Sequence, residues 1–355
     1  MSWFPERRVF TLQWHLTSKC PNNCKHCYIQ KWERESGELP LKDCFKIIDD
    51  FYQMISDLQV RGRINFTGGD PLLKEGINDL INYAIQKGIS VGILGNPELL
   101  SFETAQELQK LGVSRYQISL DGLEETHDSL RYPGSFKKSI EALRTLRKVG
   151  IPSVVMFTLS KLNMKDLIPV IKLVAKEKVS IFDFARLVPI GRGEVLKEQL
   201  IEPFEYRNLL LEVLDTYRKL QERGCDTYFG RKEHLWRLLY WELGLWRPPL
   251  HRDRKIIYSG CGVGINILTI LPEGTVYSCR RLPIPIGKVP QQSLKDIFLN
   301  SEKLNELRKE EEIEGCNECE LWQFCRGCRG VAWGTYGSYF APDPQCWKVI
   351  KILRR

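Results

Sequence analysis

The sequence predicts an α/β fold in which an open, partial (β/α)6 TIM-like barrel is followed by a small cysteine-rich α+β domain. Two observations predict this architecture. Segments rich in β-branched and aromatic residues alternate six times with segments of helical periodicity between residues 9 and 195, which indicates parallel strands joined by right-handed crossovers. Near residue 260 the composition changes to cysteine, glycine and short strands. Six units are too few to close an eightfold barrel, so the barrel should stay open.

Each unit of the barrel begins with a short strand and continues with an amphipathic helix. The predicted strands are Val9–Leu16, Arg63–Phe66, Ile89–Leu94, Tyr116–Gly122, Pro152–Thr158 and Val179–Phe184. The predicted helices are one that opens at Leu39–Asp43, with Pro40 near its first position, and then Gly76–Gln86, Thr104–Leu111, Phe136–Val149 and Met164–Lys176.

The remaining chain divides into a helical bridge, residues 196–254, and the small domain, residues 255–355, so that the barrel takes residues 1–195. The bridge holds a long helix, Phe204–Arg223, and three tryptophans. Helical spacing of aromatic residues favours a core position for them, and a stacking wall over the substrate is the alternative. The predicted elements of the small domain are strands Gly264–Ile270 and Thr275–Ser278, joined at Pro272–Gly274, and helices Leu294–Phe298 and Lys303–Lys309.

The composition of the chain excludes several classes of protein. The chain has 355 residues, 43% apolar and 27% charged, which is typical of a globular protein. Its apolar runs are too short to span a bilayer and it begins without a secretion signal, so we expect a cytoplasmic protein without a membrane partner. Its 12 cysteines are clustered, which favours metal binding over disulfides. The net charge of +8 comes without a long Lys/Arg block, so nucleic acid is not an expected partner, while an acidic peptide or anionic metabolite is compatible.

Three cysteines, Cys20, Cys24 and Cys27, follow the first strand on one loop, with Tyr28 beside the last. Thiolates this close converge on one metal or cluster. A zinc knuckle is one interpretation, but zinc needs a fourth ligand, and the next cysteine, Cys44, is predicted to be a buried small residue of a helix. Three thiolates on a four-iron cluster leave one iron open, and an open iron can chelate an amine and a carboxylate.

This loop resembles the signature of the radical S-adenosylmethionine (SAM) family, C-x-x-x-C-x-x-C with an aromatic residue beside the last cysteine. The resemblance covers residues 9–195 and implies the same partial barrel. It implies that Cys20, Cys24 and Cys27 hold a catalytic 4Fe–4S cluster whose open iron binds SAM. One electron, from a ferredoxin- or flavodoxin-type donor, then breaks a sulfur–carbon bond, giving methionine and a 5′-deoxyadenosyl radical that abstracts hydrogen from the substrate.

The resemblance also implies SAM contacts at the ends of the other strands. Gly68, Gly69 and Asp70 resemble a Gly-Gly-Glu segment that meets the methionine amine, with aspartate in place of glutamate. The other implied positions are Ser119 and Asp121 near the ribose, Arg186 at the SAM carboxylate, Val188–Gly193 (including Pro189) at the adenine with Tyr28 at its edge, Asn96 as a polar contact, and a family segment with His127, Asp128 and Arg131. For Asp121, a turn-forming role before Gly122 is the alternative.

The cysteines near the C-terminus resemble the SPASM extension, which holds two auxiliary 4Fe–4S clusters. The implied ligand sets are Cys261, Cys279 and Cys328 for the first auxiliary cluster, and Cys316, Cys319, Cys325 and Cys346 for the second, making three clusters in all. Because no cysteine comes shortly before Cys261, the first auxiliary cluster has either an open iron or Cys225 as its fourth ligand. Two zinc ribbons are the alternative. Arg280 and Arg281 either hold a carboxylate nearby or form a solvated basic pair.

SPASM enzymes mostly modify ribosomally synthesised peptides, so the first functional hypothesis is a peptide maturase that forms a thioether or carbon crosslink, an epimer or an oxidised residue. No leader-binding domain precedes the first strand, so a separate leader-binding protein is an expected partner. A second hypothesis is a tetrapyrrole, haem or other cofactor-biosynthesis enzyme, because Gly327–Ala332 and Asp343–Cys346 resemble haem-synthesis members equally well. A third is a non-enzymatic metal-cluster scaffold.

Overall fold

The computed structural model describes residues 9–251, 253 and 256–349, without the side chain of Glu310. Its strands are β1 (Val9–Thr17), β2 (Arg61–Gly68), β3 (Ser90–Leu94), β4 (Arg115–Ser119), β5 (Ser153–Leu159), β6 (Ile181–Arg186), β7 (Tyr228–Phe229), β8 (Ile267–Ile270), β9 (Thr275–Cys279) and β10 (Leu282–Lys288). Its α-helices are α1 (Lys31–Glu35), α2 (Leu41–Asp57), α3 (Ile77–Gln86), α4 (Phe102–Leu111), α5 (Glu124–Leu130), α6 (Ser135–Val149), α7 (Leu167–Lys176), α8 (Pro203–Glu222), α9 (Trp236–Glu242), α10 (Leu294–Asn300), α11 (Glu302–Leu307) and α12 (Arg329–Tyr336).

All ten strands form one sheet in the order β10-β9-β8-β1-β2-β3-β4-β5-β6-β7. Strands β1 to β7 pair in parallel with their neighbours, as expected for strands joined by helical crossovers. The two edges are β10 and β7, so the sheet is open. The predicted α/β class and the six parallel strands are therefore confirmed.

The C-terminal hairpin continues the barrel sheet. Strand β8 pairs in parallel with β1, with Thr11 opposite Ile267 and Trp14 opposite Ile270, and β9 and β10 follow as antiparallel neighbours. The short strand β7 and the edge strand β10 are not among the predicted elements. Pro283 and Pro285 weaken the strand signal of β10, and prolines are tolerated there because an edge strand leaves half of its N–H groups unpaired.

The alternation of side chains along each strand separates the core from the functional face. In β2, Ile64 and Phe66 are fully buried among the apolar residues of the core. Asn65 and Thr67 alternate with them and line an interior cavity. The sheet thus turns an apolar face to its helices and a polar face to the cavity.

The tryptophans of the bridge belong to the core. Trp236 is 2% exposed, and its ring lies 6.1 Å from that of Phe184 and 6.3 Å from that of Tyr217. Trp241 and Trp246 are partly buried and pack against the same core. The stacking-wall alternative therefore has no support in their positions. None of the helices in the described residues combines the length and apolar content needed to cross a bilayer.

Helix α10 joins the C-terminal region to the barrel. Its first amide, from Leu294, donates a hydrogen bond to Asp50 Oδ2 of α2 at 2.6 Å. Further along the helix, the buried ring of Phe298 meets the ring of Phe10 edge to face at 5.0 Å. The contact therefore links β1 to an element that lies almost three hundred residues later in the chain.

Replacing Phe298 with alanine should lower the free energy of unfolding by about 3–5 kcal/mol, because a buried phenylalanine is removed from a packed contact. The matched control is Leu299→Ala on the same helix, where the side chain is 41% exposed and the change should stay within about 0.5 kcal/mol. Urea denaturation followed by tryptophan fluorescence measures both. Equal losses in the two variants would contradict the proposed docking role.

Candidate functional site

The Gly68–Gly69 pair at the end of β2 lies against the backbone of the cysteine loop. The amide of Gly69 donates to the carbonyl of Thr17, and the amide of Asp70 donates to that of Lys19, both at 2.8 Å. A Cβ atom would lie 2.2 Å from the Thr17 carbonyl at position 68 and 2.0 Å from the Lys19 carbonyl at position 69, and Gly68 has a φ of +133°. Only glycine fits both positions, so the pair fixes the start of the loop.

The far side of the loop is held by the barrel as well. The amide of Lys25 donates to the carbonyl of Leu130 in α5, and the amide of Arg192 donates to the carbonyl of Cys27, both at 2.9 Å. The loop carries no helix or strand of its own between residues 18 and 30. Its shape is therefore set by contacts with the surrounding strand ends.

Each of the three loop thiols has a hydrogen-bond donor from another part of the chain. The pairs are Asn96 Nδ2 with Cys20 Sγ at 3.7 Å, Arg131 Nη1 with Cys24 Sγ at 3.6 Å, and Arg34 Nη2 with Cys27 Sγ at 3.2 Å. Burial raises the pKa of the Cys20 and Cys24 thiols. Metal binding requires thiolates, and these donors lower the cost of the negative charge. The donor set therefore fits a cluster ligated by three thiolates.

Both oxygens of Asp70, the predicted contact of the SAM amine, accept hydrogen bonds from backbone amides in the structure. Asp70 is fully buried, with Oδ1 accepting from the amide of Leu72 at 2.9 Å and Oδ2 from the amide of Asn96 at 2.7 Å. Burial raises the pKa of Asp70 to about 6. The Asn96 amide group in turn donates to the carbonyl of Gly69 at 3.1 Å. Asp70 therefore acts on the site through Asn96, which lies beside the first thiol.

Asp121 likewise lies behind the cavity wall instead of at a ribose. Its Oδ2 accepts from Arg131 Nε at 2.7 Å and from His26 Nε2 at 3.1 Å, and its Oδ1 accepts from the amide of Thr158 at 2.7 Å. Burial alone would raise the pKa of Asp121, but Arg131 and His26 outweigh it and hold the pKa well below its usual range. The carboxylate thus orients the arginine that meets the Cys24 thiol.

The guanidinium of Arg186, the predicted contact of the SAM carboxylate, is engaged by protein groups in the structure. Its Nε donates to Glu233 at 2.7 Å, its Nη1 and Nη2 each donate to Asp343 at 2.8 Å, and its Nη1 also donates to Gln345 at 3.0 Å. Its side chain has no accessible surface. Although burial opposes its charge, the two carboxylates raise the pKa of Arg186 well above its usual value. Arg186 therefore joins the barrel to the C-terminal region.

Tyr28 lies between the loop and the C-terminal residues. Its ring is 4.8 Å from the guanidinium of Arg280, and Arg280 forms a buried ion pair with Glu33 of α1. Pro189 is buried against Gly334 of α12. Arg280 is thus neither solvated nor free of an acidic partner. The predicted SAM contacts that line the cavity include Tyr28, Gly68, Gly69, Asn96, Ser119 and Arg186.

The auxiliary cysteines fall into two groups in space. Three of them line the same cavity as the loop thiols, from its opposite side: Cys261, Cys279 and Cys328. Four others lie near one another, outside that cavity lining: Cys316, Cys319, Cys325 and Cys346. All twelve cysteines are free thiols. Cys44 is buried in α2 and Cys225 follows α8, so neither joins a group.

The cavity between the loop thiols and the first auxiliary group has a volume of about 570 Å³. Three residues of the cavity wall are not among the predicted site residues: Asp183, Lys232 and His234. A fourth wall residue, Arg281, is predicted either to hold a carboxylate or to belong to a solvated basic pair.

Lys232 is exposed and lines the cavity. Protein atoms around its amine lower the pKa of Lys232, and burial raises the pKa of Asp183 to about 6. Pairing of β6 with β7 brings the segment that follows β7, with Lys232 and His234, next to the strand that carries Asp183. No local pattern marks these three positions, whereas Arg281 comes shortly after Cys279.

His234 lines the cavity together with the first auxiliary group. Burial alone would raise the pKa of Cys261, but the nearby His234 side chain and the charge of Arg326 lower it to about 6. Arg281 lies near Cys279 and Cys328, and their negative charge raises its pKa although burial opposes it. The wall therefore gathers three thiols, an imidazole and a guanidinium.

Comparison with known families agrees with this arrangement. Residues 14–174 match the family model described as the radical SAM superfamily. Residues 261–320 match SPASM, described as an iron–sulfur cluster-binding domain. The second match favours iron–sulfur clusters over zinc ribbons at the C-terminal cysteines.

Curated relatives and solved structures cover nearly the whole chain. The AdoMet-dependent heme synthase of Nitratidesulfovibrio vulgaris is 30% identical over 94% of this chain and 91% of its own length. The mycofactocin maturase MftC of Mycobacterium tuberculosis is 28% identical over 94% of this chain and 82% of its own. The crystal structure of Streptococcus suis SuiB bound to precursor peptide SuiA has a TM-score of 0.76 at 18% identity, covering 96% of this chain and 76% of its own, which shows a shared fold.

A Gly69→Ala change should weaken SAM binding by about tenfold or more, because displacing the loop backbone costs at least about 1.4 kcal/mol. The control is Gly37→Ala, in a nearby loop where a Cβ atom meets nothing within 4 Å. Calorimetric titration of the anaerobically reconstituted protein with SAM measures affinity, and iron analysis reports cluster content. Unchanged affinity in the Gly69 variant would show that the close approach does not shape the site.

Proposed function

This chain belongs to the radical SAM superfamily and is a radical SAM/SPASM enzyme, and from that premise we propose that it modifies a ribosomally synthesised peptide. When bound, the 4Fe–4S cluster and SAM supply one-electron cleavage of SAM to methionine and a 5′-deoxyadenosyl radical, which takes a hydrogen atom from the substrate and becomes 5′-deoxyadenosine. Enzyme-named relatives over 94% of the chain argue against a non-enzymatic scaffold.

The residues of the cysteine loop would hold this cluster. Cys20, Cys24 and Cys27 supply three thiolates, and the donors beside them, Arg34 and Arg131, compensate the negative charge of the sulfurs. Such compensation is strong in a site from which water is excluded.

On the wall next to the loop, Gly68 and Gly69 allow close approach to SAM, while Asn96 and Ser119 offer polar groups toward it. We assign Asp70, Asp121 and Arg186 to positioning roles, since their polar atoms already have protein partners. Tyr28 remains the proposed aromatic neighbour of the adenine, because its position next to the loop thiols keeps it on the same wall.

The two C-terminal groups of thiols would hold one auxiliary cluster each, giving three clusters with the one on the loop. The first group shares the cavity with the loop thiols, whereas the second group is buried apart from it. A cluster in the first position could exchange an electron with the substrate, and one in the second could pass it toward a ferredoxin- or flavodoxin-type partner.

The size of the cavity is the observation that carries the peptide proposal. Sites for drug-sized ligands measure roughly 300–1,000 Å³, so SAM takes up much of the 570 Å³ between the two sets of thiols. The remaining space suits one side chain or terminus of a peptide, whose other residues stay outside. A rigid macrocycle, unlike a peptide, cannot insert only one part of itself, so the whole ring would have to fit into this remaining space.

Charge on the wall indicates which group of the peptide enters. Lys232 and Arg281 line the cavity near Cys279, and Asp183 is the one acidic side chain of the lining within the described residues. Arg281 is itself paired with Glu233 at 3.6 Å, so Lys232 is the cation proposed to meet a substrate carboxylate, either a C-terminus or an acidic side chain.

A porphyrin with carboxylate side chains is the second candidate. It is favoured by the 30% identity with a heme synthase over 94% of this chain and by the same positive wall. It would also agree with the predicted haem-synthesis resemblance of the C-terminal segment.

Mass spectrometry of anaerobic reactions with SAM and dithionite separates the two candidates. We expect a mass change in a peptide encoded beside this chain, coupled to 5′-deoxyadenosine, and none in an iron porphyrin carrying propionates. Modification of the porphyrin alone would overturn the peptide proposal.

Cys27→Ala should abolish 5′-deoxyadenosine formation, whereas Cys44→Ala, at a cysteine away from the cavity, should retain it.

Changing Lys232 to methionine should raise KM for a peptide with a free carboxylate by about 10–100-fold, the usual effect of losing a hydrogen bond to a charged group. Lys232→Arg keeps the positive charge and should recover most of the loss. Steady-state kinetics with the free acid and its C-terminal amide tests the cause. If the amide suffers the same loss as the acid, Lys232 does not recognise a carboxylate.

A further inference from the structure

The cavity extends past the predicted SAM contacts toward the amino-terminal ends of the barrel strands. On β4, both Ser119 and Arg115 line it, and a separation of four residues corresponds to about 13 Å along a strand. In a closed barrel, layers of branched apolar side chains fill the interior. Here Thr11, Gln13 and Gln117 line the cavity, so its amino-terminal end is polar.

The side chain of Arg115 crosses a neighbouring strand to reach its hydrogen-bond partner. Gly92 of β3 lies opposite both Arg115 of β4 and Asn65 of β2. Arg115 Nη2 donates to Asn65 Oδ1 at 3.0 Å. A Cβ atom at position 92 would lie 2.8 Å from that oxygen and 3.2 Å from Arg115 Nε. Glycine inside a strand is typical of such a close approach, and Gly92 leaves room for the guanidinium on the cavity face of the sheet.

A second arginine, Arg63, starts from the same face of β2, because it precedes Asn65 by two residues. Its Nε is buried without a hydrogen-bond partner among the described residues. Burial and the charge of Arg63 lower the pKa of Arg115 to about 10, and burial and the charge of Arg61 lower the pKa of Arg63. No carboxylate in the described part of the chain offsets either charge. Two guanidinium groups thus lie near each other without an acidic partner.

The chemistry of this pair suits an anion. A guanidinium has five N–H donors, and within the described ranges the one hydrogen bond of the Arg115 guanidinium is that to Asn65. The remaining donors can form two parallel bonds to a carboxylate, the geometry in which arginine binds carboxylates most strongly. A bound carboxylate would also relieve the repulsion between the two arginines.

Lys232, the cation assigned to a substrate carboxylate, belongs to a different level of the cavity. Its amide donates to Asp183 Oδ1 at 3.2 Å. Asp183 of β6 is level with Ser119 of β4, because each pairs with Met156 of β5. Lys232 therefore starts near the predicted SAM contacts, whereas Arg115 starts about 13 Å further along the strands.

We propose that Arg115, supported by Arg63, binds a second carboxylate of the substrate at the amino-terminal end of the cavity. This inference rests on the proposed peptide substrate and specifies it further, since the inserted end of the peptide then carries two carboxylates. The one nearer SAM meets Lys232, and the other meets Arg115. An end held at both points lies extended along the cavity, which fixes the part of the peptide that is next to SAM.

Steady-state kinetics test the site with the peptide encoded beside this chain and with versions in which one carboxylate at a time is an amide. Arg115→Gln should raise KM for the unaltered peptide by about 10–100-fold, the usual effect of losing a hydrogen bond to a charged group. One amide version should be insensitive to this change, and a different one should be insensitive to Lys232→Met. Arg115→Lys keeps the charge without the planar fork and should recover part of the loss. Arg223→Gln, at an exposed arginine after α8, is the matched control and should keep KM.

Thermal unfolding of the reconstituted holoenzyme measures the site without turnover, with succinate as the probe. In Lys232→Met, where the other cation is removed, succinate should still raise the melting temperature above that in sodium chloride of equal ionic strength. Adding Arg115→Gln to this variant should abolish the rise. Calorimetric titration should give the same SAM affinity in both variants, because Arg115 lies far from the SAM contacts.

Three results would overturn the inference: an unchanged KM in Arg115→Gln, an equal rise of KM for every amide version, or a succinate effect that survives in the double variant. A succinate effect without any response of KM would mean an adventitious ion only. SAM cleavage and peptide modification would still stand in each case. If only the iron porphyrin is modified, the proposed function fails instead, and the same kinetics with its propionates and their methyl esters decide whether Arg115 binds a carboxylate.

Discussion

One buried cation, the guanidinium of Arg186, ties the end of β6 to the C-terminal region. It pairs with Glu233 and Asp343, and Asp343 also accepts from the amide of Cys328 at 2.7 Å. Removing one partner from such a network leaves an uncompensated buried charge, at a cost of about 3–5 kcal/mol. Because Glu233 precedes His234 and Asp343 holds Cys328, the same network sets the distance between the barrel and the auxiliary wall.

A second constraint is the negative charge that thiolates bring into a closed space. Charged donors stand beside the sulfurs: Arg131 near Cys24, Arg34 near Cys27 and Arg281 near Cys279. Inside a protein, an unpaired charge is costly and a paired one is stabilised more strongly than in water. Residues at the strand ends therefore support the thiols of the site, and Asp70, Asp121 and Arg186 make their hydrogen bonds to other protein groups.

The continuous sheet explains how one cavity meets both sets of thiols. Strand β8 extends the barrel by pairing with β1 over Thr11–Trp14, and the hairpin that follows ends at Cys279. The first auxiliary group thus faces the cysteine loop across the same open interior. In the proposed function, a substrate that enters this space would lie between SAM and an auxiliary cluster, which suits a reaction that needs both.

The sequence by itself determined the six parallel strands and the cysteine loop, because periodicity and ligand spacing are local properties, while the two sets of C-terminal cysteines were implied by the resemblance to the SPASM extension. It also placed polar residues at the strand ends. Only the tertiary structure decided what those residues contact: the partners of Arg186 lie 47 and 157 residues away, at Glu233 and Asp343. Lys232 and His234 carry no local signal at all, since their place on the wall comes from strand pairing and buried ion pairs. The position of a residue along a strand determines where in the sheet its side chain lies, whereas residues distant in the sequence determine which groups that side chain contacts.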